Sequence, residues 1–185
     1  MDLIKVALVE NLEAAHRMYR RILEQTSGVQ LIAAFHYPEE LIEKLEEGIG
    51  VDVIVMDNRM NELDKNTGPE RLDGIAAAQL IRQRHPRMPI VLYSNWDEPE
   101  FYRRVEMAHF GSHYAIVKRY ALDTNRLGEI IRSVVRGFAY IDPEVRVEMD
   151  LLRAWSEHSP LRLLETEEQY KILALISDGL SNEEV

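Results

Sequence analysis

Apolar and polar positions follow two alternating periods along most of the chain. Ile4 to Val9 is a short, nearly continuous apolar run, as expected of a parallel strand buried on both faces. A helical period follows, with Ala15, Met18, Tyr19, Ile22 and Leu23 at i, i+3, i+4, i+7 and i+8, and Gly28 suits its end. Val29 to Phe35 reads as a second strand, Pro38 to Leu45 as a short helix and Val51 to Met56 as a third strand. After a long polar stretch from Asn58 to Asp73, a helix carries Ala77, Leu80 and Ile81 and stops before Pro86. Pro89 to Tyr93 is the fourth strand. Asp97 and Pro99 open a helix through Phe101, Val105 and Ala108 that ends at Gly111. Tyr114 to Val117 is the fifth strand. Asp123 or Thr124 caps a helix with Leu127, Ile130, Ile131, Val134, Val135 and Phe138 on one face.

Five βα units in about 140 residues predict an α/β fold, a doubly wound five-stranded parallel sheet between helical layers. The flavodoxin-like order is the leading topology, and such sheets place their sites at the carboxyl ends of the strands. Beyond Phe138 the pattern changes. Asp142 caps a further helix with Pro143 at its first position. The polar break 156–160 is the best candidate for a linker. Thr166 and Gln169 form a capping box for a helix that stops at Gly179, and Ser181 with Glu184 forms a second. Helix, Gly-containing turn and new helix resemble the front of a helix-turn-helix. The expected division is 1–140 for the α/β domain, 141–163 for a linker containing a helix, and 164–185 for part of an all-α domain.

Composition narrows the class. No apolar run nears the roughly 18 residues needed to span a bilayer, and the acidic, strand-forming N-terminus does not read as a signal peptide. The absence of cysteine excludes disulfides and thiolate metal sites. These features favour a cytoplasmic protein with no membrane partner. A formal net charge of −10 argues against non-specific coating of nucleic acid, though not against a locally basic DNA-binding module.

The strand ends carry the chemistry. Strand one ends in Glu10-Asn11, strand three in Asp57, strand four in Ser94 and strand five in Lys118, and the predicted sheet brings all of them to one edge. Two acids, an amide, a hydroxyl and an ammonium there suit Mg²⁺-dependent phosphoryl transfer. Oxygen ligands hold Mg²⁺, Asp57 serves as the nucleophile that forms an acyl phosphate, and Lys118 neutralises charge on the transferred group. Each residue alone has a plainer reading. Asn11 suits a helix cap, Ser94 a turn hydroxyl and Lys118 a solvated charge. Their joint placement carries the functional reading.

Several segments resemble two-component response regulators of the NarL/FixJ/LuxR type over essentially the whole chain. Val53-Ile54-Val55-Met56-Asp57-Asn58-Arg59-Met60 resembles the family's phosphoacceptor segment, and Leu72-Asp73-Gly74 the opening of its third helix. Pro89 to Ser94 resembles the strand ending in Thr or Ser. Gly111-Ser112-His113 leading to Ile116-Val117-Lys118 resembles the strand ending in lysine. Gly137 to Val145 resembles the junction after the receiver, and Thr166 to Val185 the opening of a LuxR-type helix-turn-helix. The resemblance implies a non-enzymatic transcription regulator phosphorylated on Asp57 by a sensor histidine kinase, with Ser94 and Lys118 assisting. It implies Mg²⁺ held by Glu10, Asn11, Asp57 and the backbone carbonyl of Arg59, and a possible homodimer. In that family the base-reading helix follows the one that opens at Ser181. Residues 164–185 are therefore expected to be the N-terminal part of a truncated module, and promoter DNA a partner of the full-length protein but not of this chain.

Three departures from the family pattern stand out. The second acid usual after strand one is Asn11, so Mg²⁺ should bind weakly. The segment from Met60 to Leu72 is longer than usual and carries Glu62, Asp64 and Glu70. The usual aromatic residue three before the lysine is Ala115. These keep a second function open, a pseudo-receiver that works as a phosphorylation-independent dimerisation or interaction module. A hydrolase of the haloacid dehalogenase kind ranks last, because Arg59 stands where that class expects an acid.

Overall fold

The computed structural model describes residues 3–60, 72–94, 99–119 and 123–158; side chains are described for all of these except 94, 99, 100 and 155–158. The acidic loop with Glu62, Asp64 and Glu70, the residue Asp97 and the whole expected helix-turn-helix lie outside the described residues. The chain divides into two compact units, Met1–Val147 and Glu148–Val185.

The first unit has strands β1 (Ile4–Val9), β2 (Val29–Phe35), β3 (Val53–Asp57), β4 (Ile90–Ser94), β5 (Tyr114–Lys118) and β6 (Ala139–Ile141). Helices α1 (Glu13–Gln25), α2 (Pro38–Glu46), α3 (Gly74–Arg84), α4 (Pro99–Met107) and α5 (Thr124–Val135) connect them, and α6 (Pro143–His158) begins here and runs into the second unit. All strand pairs are parallel, in the order β2-β1-β3-β4-β5-β6. The α/β receiver-like sheet is as expected, but it has six strands and not five. The sixth was missed because it is only three residues long and shows no period. Gly137, at φ 98°, reverses the chain after α5, and Ala139, Tyr140 and Ile141 then pair with Tyr114, Ala115 and Ile116. The same turn ends α5 at Val135, so Phe138 leaves the helix face assigned to it and is exposed. At the far end, α6 continues through 156–158, the front of the segment read as a polar break.

The sheet core forms because alternate residues of the strands meet different helical layers. Val6, Leu8, Val53, Val55, Val91, Tyr93, Ala115 and Val117 join Tyr19 and Leu23 of α1 and Leu127, Ile130, Ile131 and Val134 of α5 in one buried cluster. Residues of the opposite parity, Ala7, Val9, Ile54, Met56 and Leu92, are equally buried. On that side lie Leu41 and Leu45 of α2 and Ile75, Ala78 and Ile81 of α3.

Caps hold the helices in place. Asp73 accepts from the Ala76 N–H at 2.9 Å and also pairs with both Nη atoms of Arg104, tying the start of α3 to α4. Asp123 accepts from the Arg126 N–H at 2.8 Å, as expected of the cap of α5. At the edge of the sheet opposite the strand carboxyl ends, Arg82 donates to the carbonyls of Pro86, Phe110, Ser112 and His113. It braces the turn that holds His109 and His113 at positive φ.

Candidate functional site

Glu10 follows β1 and Asp57 ends β3, both at the carboxyl edge. Each continues the parity of its strand that faces α1 and α5. Their exposures are 0% and 1%, so both carboxylates need counter-charge inside the fold. Arg119 contacts both. Nη2 of Arg119, the residue after β5, lies 2.8 Å from Asp57 Oδ2 and 3.0 Å from Glu10 Oε2. Its guanidinium carbon sits 5.7 Å from the centroid of the Tyr93 ring, and its backbone carbonyl accepts from the Tyr19 hydroxyl at 3.1 Å. Tyr93 in turn donates to Glu10 Oε2 at 3.1 Å, while Glu10 Oε1 accepts from the Leu12 N–H at 2.9 Å.

These neighbours set the acid–base behaviour. Burial raises the Glu10 pKa, and the Asp57 charge raises it further; the Leu12 N–H, Arg119 and Tyr93 only partly offset this. Burial opposes the charge on Arg119, but Asp57 and Glu10 outweigh it and hold the guanidinium protonated. Burial, reinforced by Glu10 and Asp57, keeps the Tyr93 phenol neutral.

The loop after Asp57 is pinned. The Asn58 N–H donates to the Tyr93 carbonyl at 3.1 Å, and the Asn58 carbonyl accepts from the N–H groups of Met60 at 3.1 Å and Gly74 at 2.9 Å. Asn58 Oδ1 accepts from the Ile75 N–H at 3.1 Å. Arg59 is therefore the central residue of a tight turn against the N-terminus of α3. A Cβ on Gly74 would stand 2.5 Å from the Asp57 carbonyl oxygen, which is why this position takes glycine.

The expected site residues are mostly brought to one edge. Asn11 does not cap α1, whose N-cap is Leu12 with no side-chain bond. Its amide nitrogen donates to the Met60 carbonyl at 3.0 Å, and its buried Oδ1 has no hydrogen-bond partner among the described residues. Lys118 is half-buried and pairs in register with Ser94, on the parity opposite to the carboxylate cluster. The Ser94 side chain is outside the described residues. The cation seen on Asp57 is Arg119, which sequence reading passed over. The signal was available: Ala115, Val117 and Arg119 share one parity, and extending it past the strand end aims Arg119 at the acids.

Oxygen donors of this kind suit a hard divalent cation. The two carboxylates and the buried Asn11 Oδ1 fit one. Among the described residues no three His, Cys, Asp or Glu side chains gather as a metal site, and the anionic donors there are the two carboxylates of Glu10 and Asp57.

Residues 6–132 match the response regulator receiver domain family. The chain belongs to that family. It is 27% identical to the response regulator protein VraR of Staphylococcus aureus over 186 aligned positions, 98% of this chain and 79% of VraR. Among solved structures it is similar to the RcsB response regulator of Salmonella typhimurium, with a TM-score of 0.69 and 18% identity over 98% of this chain and 81% of that one. A LuxR-family two-component response regulator from Aurantimonas sp. superposes with a TM-score of 0.63 and 22% identity over 83% of this chain and 99% of that one. The likeness to NarL/FixJ/LuxR-type response regulators read from the sequence is thus borne out. Among the described residues no helix is long and apolar enough to cross a membrane.

Proposed function

We propose that this receiver accepts a phosphoryl group on Asp57 from a sensor histidine kinase and controls transcription through a LuxR-type DNA-binding domain, acting in the cytoplasm as a regulator and not an enzyme. The observation that carries the proposal is a buried Asp57 at the carboxyl end of a central strand, beside a second buried acid. The proposed organisation is a receiver over 1–140, a linker over 141–163 and the helix-turn-helix portion from 164. VraR is named a response regulator, and RcsB has been solved as dimers bound to DNA. These relatives support a homodimer acting on promoter DNA.

In the proposed reaction an Asp57 carboxylate oxygen attacks the phosphorus of a phosphohistidine. The O–P bond forms as the N–P bond breaks, and the electron pair returns to the imidazole nitrogen. Lys118 and Ser94, at the ends of adjacent strands, would bind oxygens of the incoming group. Mg²⁺, when bound by Glu10, Asn11, Asp57 and the Arg59 carbonyl, supplies charge neutralisation for that group. The pinned 58–60 turn keeps the acceptor oxygen in place, so little reorganisation is needed at the moment of transfer.

The test is intact mass after incubation with acetyl phosphate and Mg²⁺. Wild type should gain one phosphoryl group and Asp57→Asn none; equal gain in both would remove the assignment. A second reading, a pseudo-receiver whose state is set by partners or dimerisation, is favoured by the Arg119 ion pairs with both acids. No gain in either protein would select it.

A further inference from the structure

We propose that Arg119 is a resident cation of the acidic site, standing between Glu10 and Asp57 where a divalent ion would bind, and that metal binding is an exchange in which the guanidinium leaves. The inference deepens the receiver reading and concerns how its acceptor is regulated.

The geometry is that of a built site. One nitrogen, Nη2, contacts an oxygen of each carboxylate, at 2.8 and 3.0 Å. The guanidinium is held over the Tyr93 ring, and the Tyr19 hydroxyl fixes the Arg119 backbone from α1. Both oxygens of Glu10 are engaged, Oε1 by the Leu12 N–H and Oε2 by Arg119 and Tyr93 together. A divalent cation cannot reach Glu10 Oε2 and Asp57 Oδ2 while Nη2 bridges them, since two cations would then share the same oxygens at close range. The side chain of Arg119 retains 18% of its exposure, whereas the acids have almost none, so the mobile partner in an exchange is the arginine. Among the described residues only Glu10 and Asp57 supply anionic oxygens here, Asn11 being neutral, so the guanidinium competes with the metal for the same two carboxylates.

Charge is accounted for in both states. With Arg119 in place, two carboxylates and one guanidinium leave a single negative charge. With a divalent ion in its place the carboxylates are neutralised and the guanidinium is hydrated outside. Arg119 thereby sets a threshold of metal concentration below which Asp57 stays ion-paired and is a poor nucleophile.

The experiment is calorimetric titration of MgCl₂ into the whole chain as wild type, Arg119→Gln and Arg119→Lys. Arg119→Gln should bind Mg²⁺ at least about tenfold more tightly, equivalent to ~1.4 kcal/mol. Arg119→Lys, which keeps the charge, should stay near wild type. Equal or weaker binding in Arg119→Gln, or no binding in either, overturns the proposal. Because loss of a buried counter-ion could unfold Arg119→Gln, the wild-type side chain gives an independent measure. The Arg119 Nε–H resonance should shift in step with Mg²⁺ occupancy, and an unchanged resonance at saturation also overturns it. The acceptor is judged separately, by mass gain from acetyl phosphate. Labelling of Asp57 with no change in metal affinity retires the exchange and keeps the acceptor. Tightened metal binding without labelling does the reverse.

Discussion

Replacing Gly74 by alanine tests how the loop after Asp57 is held. The added Cβ would meet the Asp57 carbonyl oxygen at 2.5 Å, the Asn58 Cα at 2.8 Å and the Asp57 carbonyl carbon at 3.2 Å. All three are backbone atoms, so no side chain can swing aside. Ordinary contact for carbon begins near 3.5 Å, so α3 and the loop must part by about an ångström. That movement strains the Gly74 N–H bond to the Asn58 carbonyl and the Ile75 N–H bond to Asn58 Oδ1, at 2.9 and 3.1 Å. Overpacking of this kind costs about 1–3 kcal/mol, and the strained hydrogen bonds add about 1 kcal/mol. The helix propensity of alanine returns at most ~1 kcal/mol, and less in a first turn. A net loss of about 1–3 kcal/mol follows, or roughly 2–4 °C of melting temperature for each kcal/mol in a protein of this size. Thermal and urea denaturation measure it, and amide chemical shifts at Asp57 and Asn58 report the displaced loop. A Gly74→Ala protein that melts at or above the wild-type temperature would show that the close approach of α3 to the end of β3 is wrong.

Two further substitutions probe the acids. Asn11→Asp should raise Mg²⁺ affinity by adding an anionic oxygen, yet lower the stability of the metal-free protein by about 1 kcal/mol, because a carboxylate cannot donate to the Met60 carbonyl; unchanged affinity in a magnesium titration would remove Asn11 from the metal's ligands. Glu10, whose pKa is raised on folding, holds its proton more tightly in the native state, so its contribution is fully present below the unfolded value of about 4.5 and is lost as pH rises through the folded value. Glu10→Gln should therefore gain stability relative to wild type as pH rises from about 4.5 toward neutrality, as urea midpoints across that range would show; a difference independent of pH would mean that Glu10 is not desolvated as described.

Long, regular features were legible in the sequence, and short or irregular ones were not. The runs Ile4–Val9 and Val53–Asp57 and the 3.6-residue spacing in α1 and α5 are dictated by burial on known faces, so the parallel sheet could be read directly. Asp123 was legible as a cap because its chemistry is local. β6 was not, since three residues carry no period and their pairing depends on a turn at Gly137. Asn11 was read as a choice between cap and ligand, but its amide goes to the Met60 carbonyl, 49 positions away, a bond no local pattern encodes. Arg119 was overlooked for a related reason. A charged residue after a strand looks solvated until the fold aims it at two carboxylates from other strands.

The sixth strand changes the mechanics of the sheet. With β6 paired outside it, β5 has neighbours on both sides, and the main chain leaving the sheet is stitched to the strand whose end carries Lys118 and Arg119. Ile116 faces Ile141, and its carbonyl accepts from the Asp142 N–H at 2.9 Å. Asp142 also receives Arg126 of α5 at 2.9 Å and stands immediately before α6. Only Val117 therefore separates this junction from Lys118. Sliding β5 along its axis must carry that junction with it or break the ladder bonds between them. The carboxyl end of β5 is thus clamped: the Ile116 carbonyl ties it to Asp142, and Asp142 ties it in turn to α5 and to the first turn of α6.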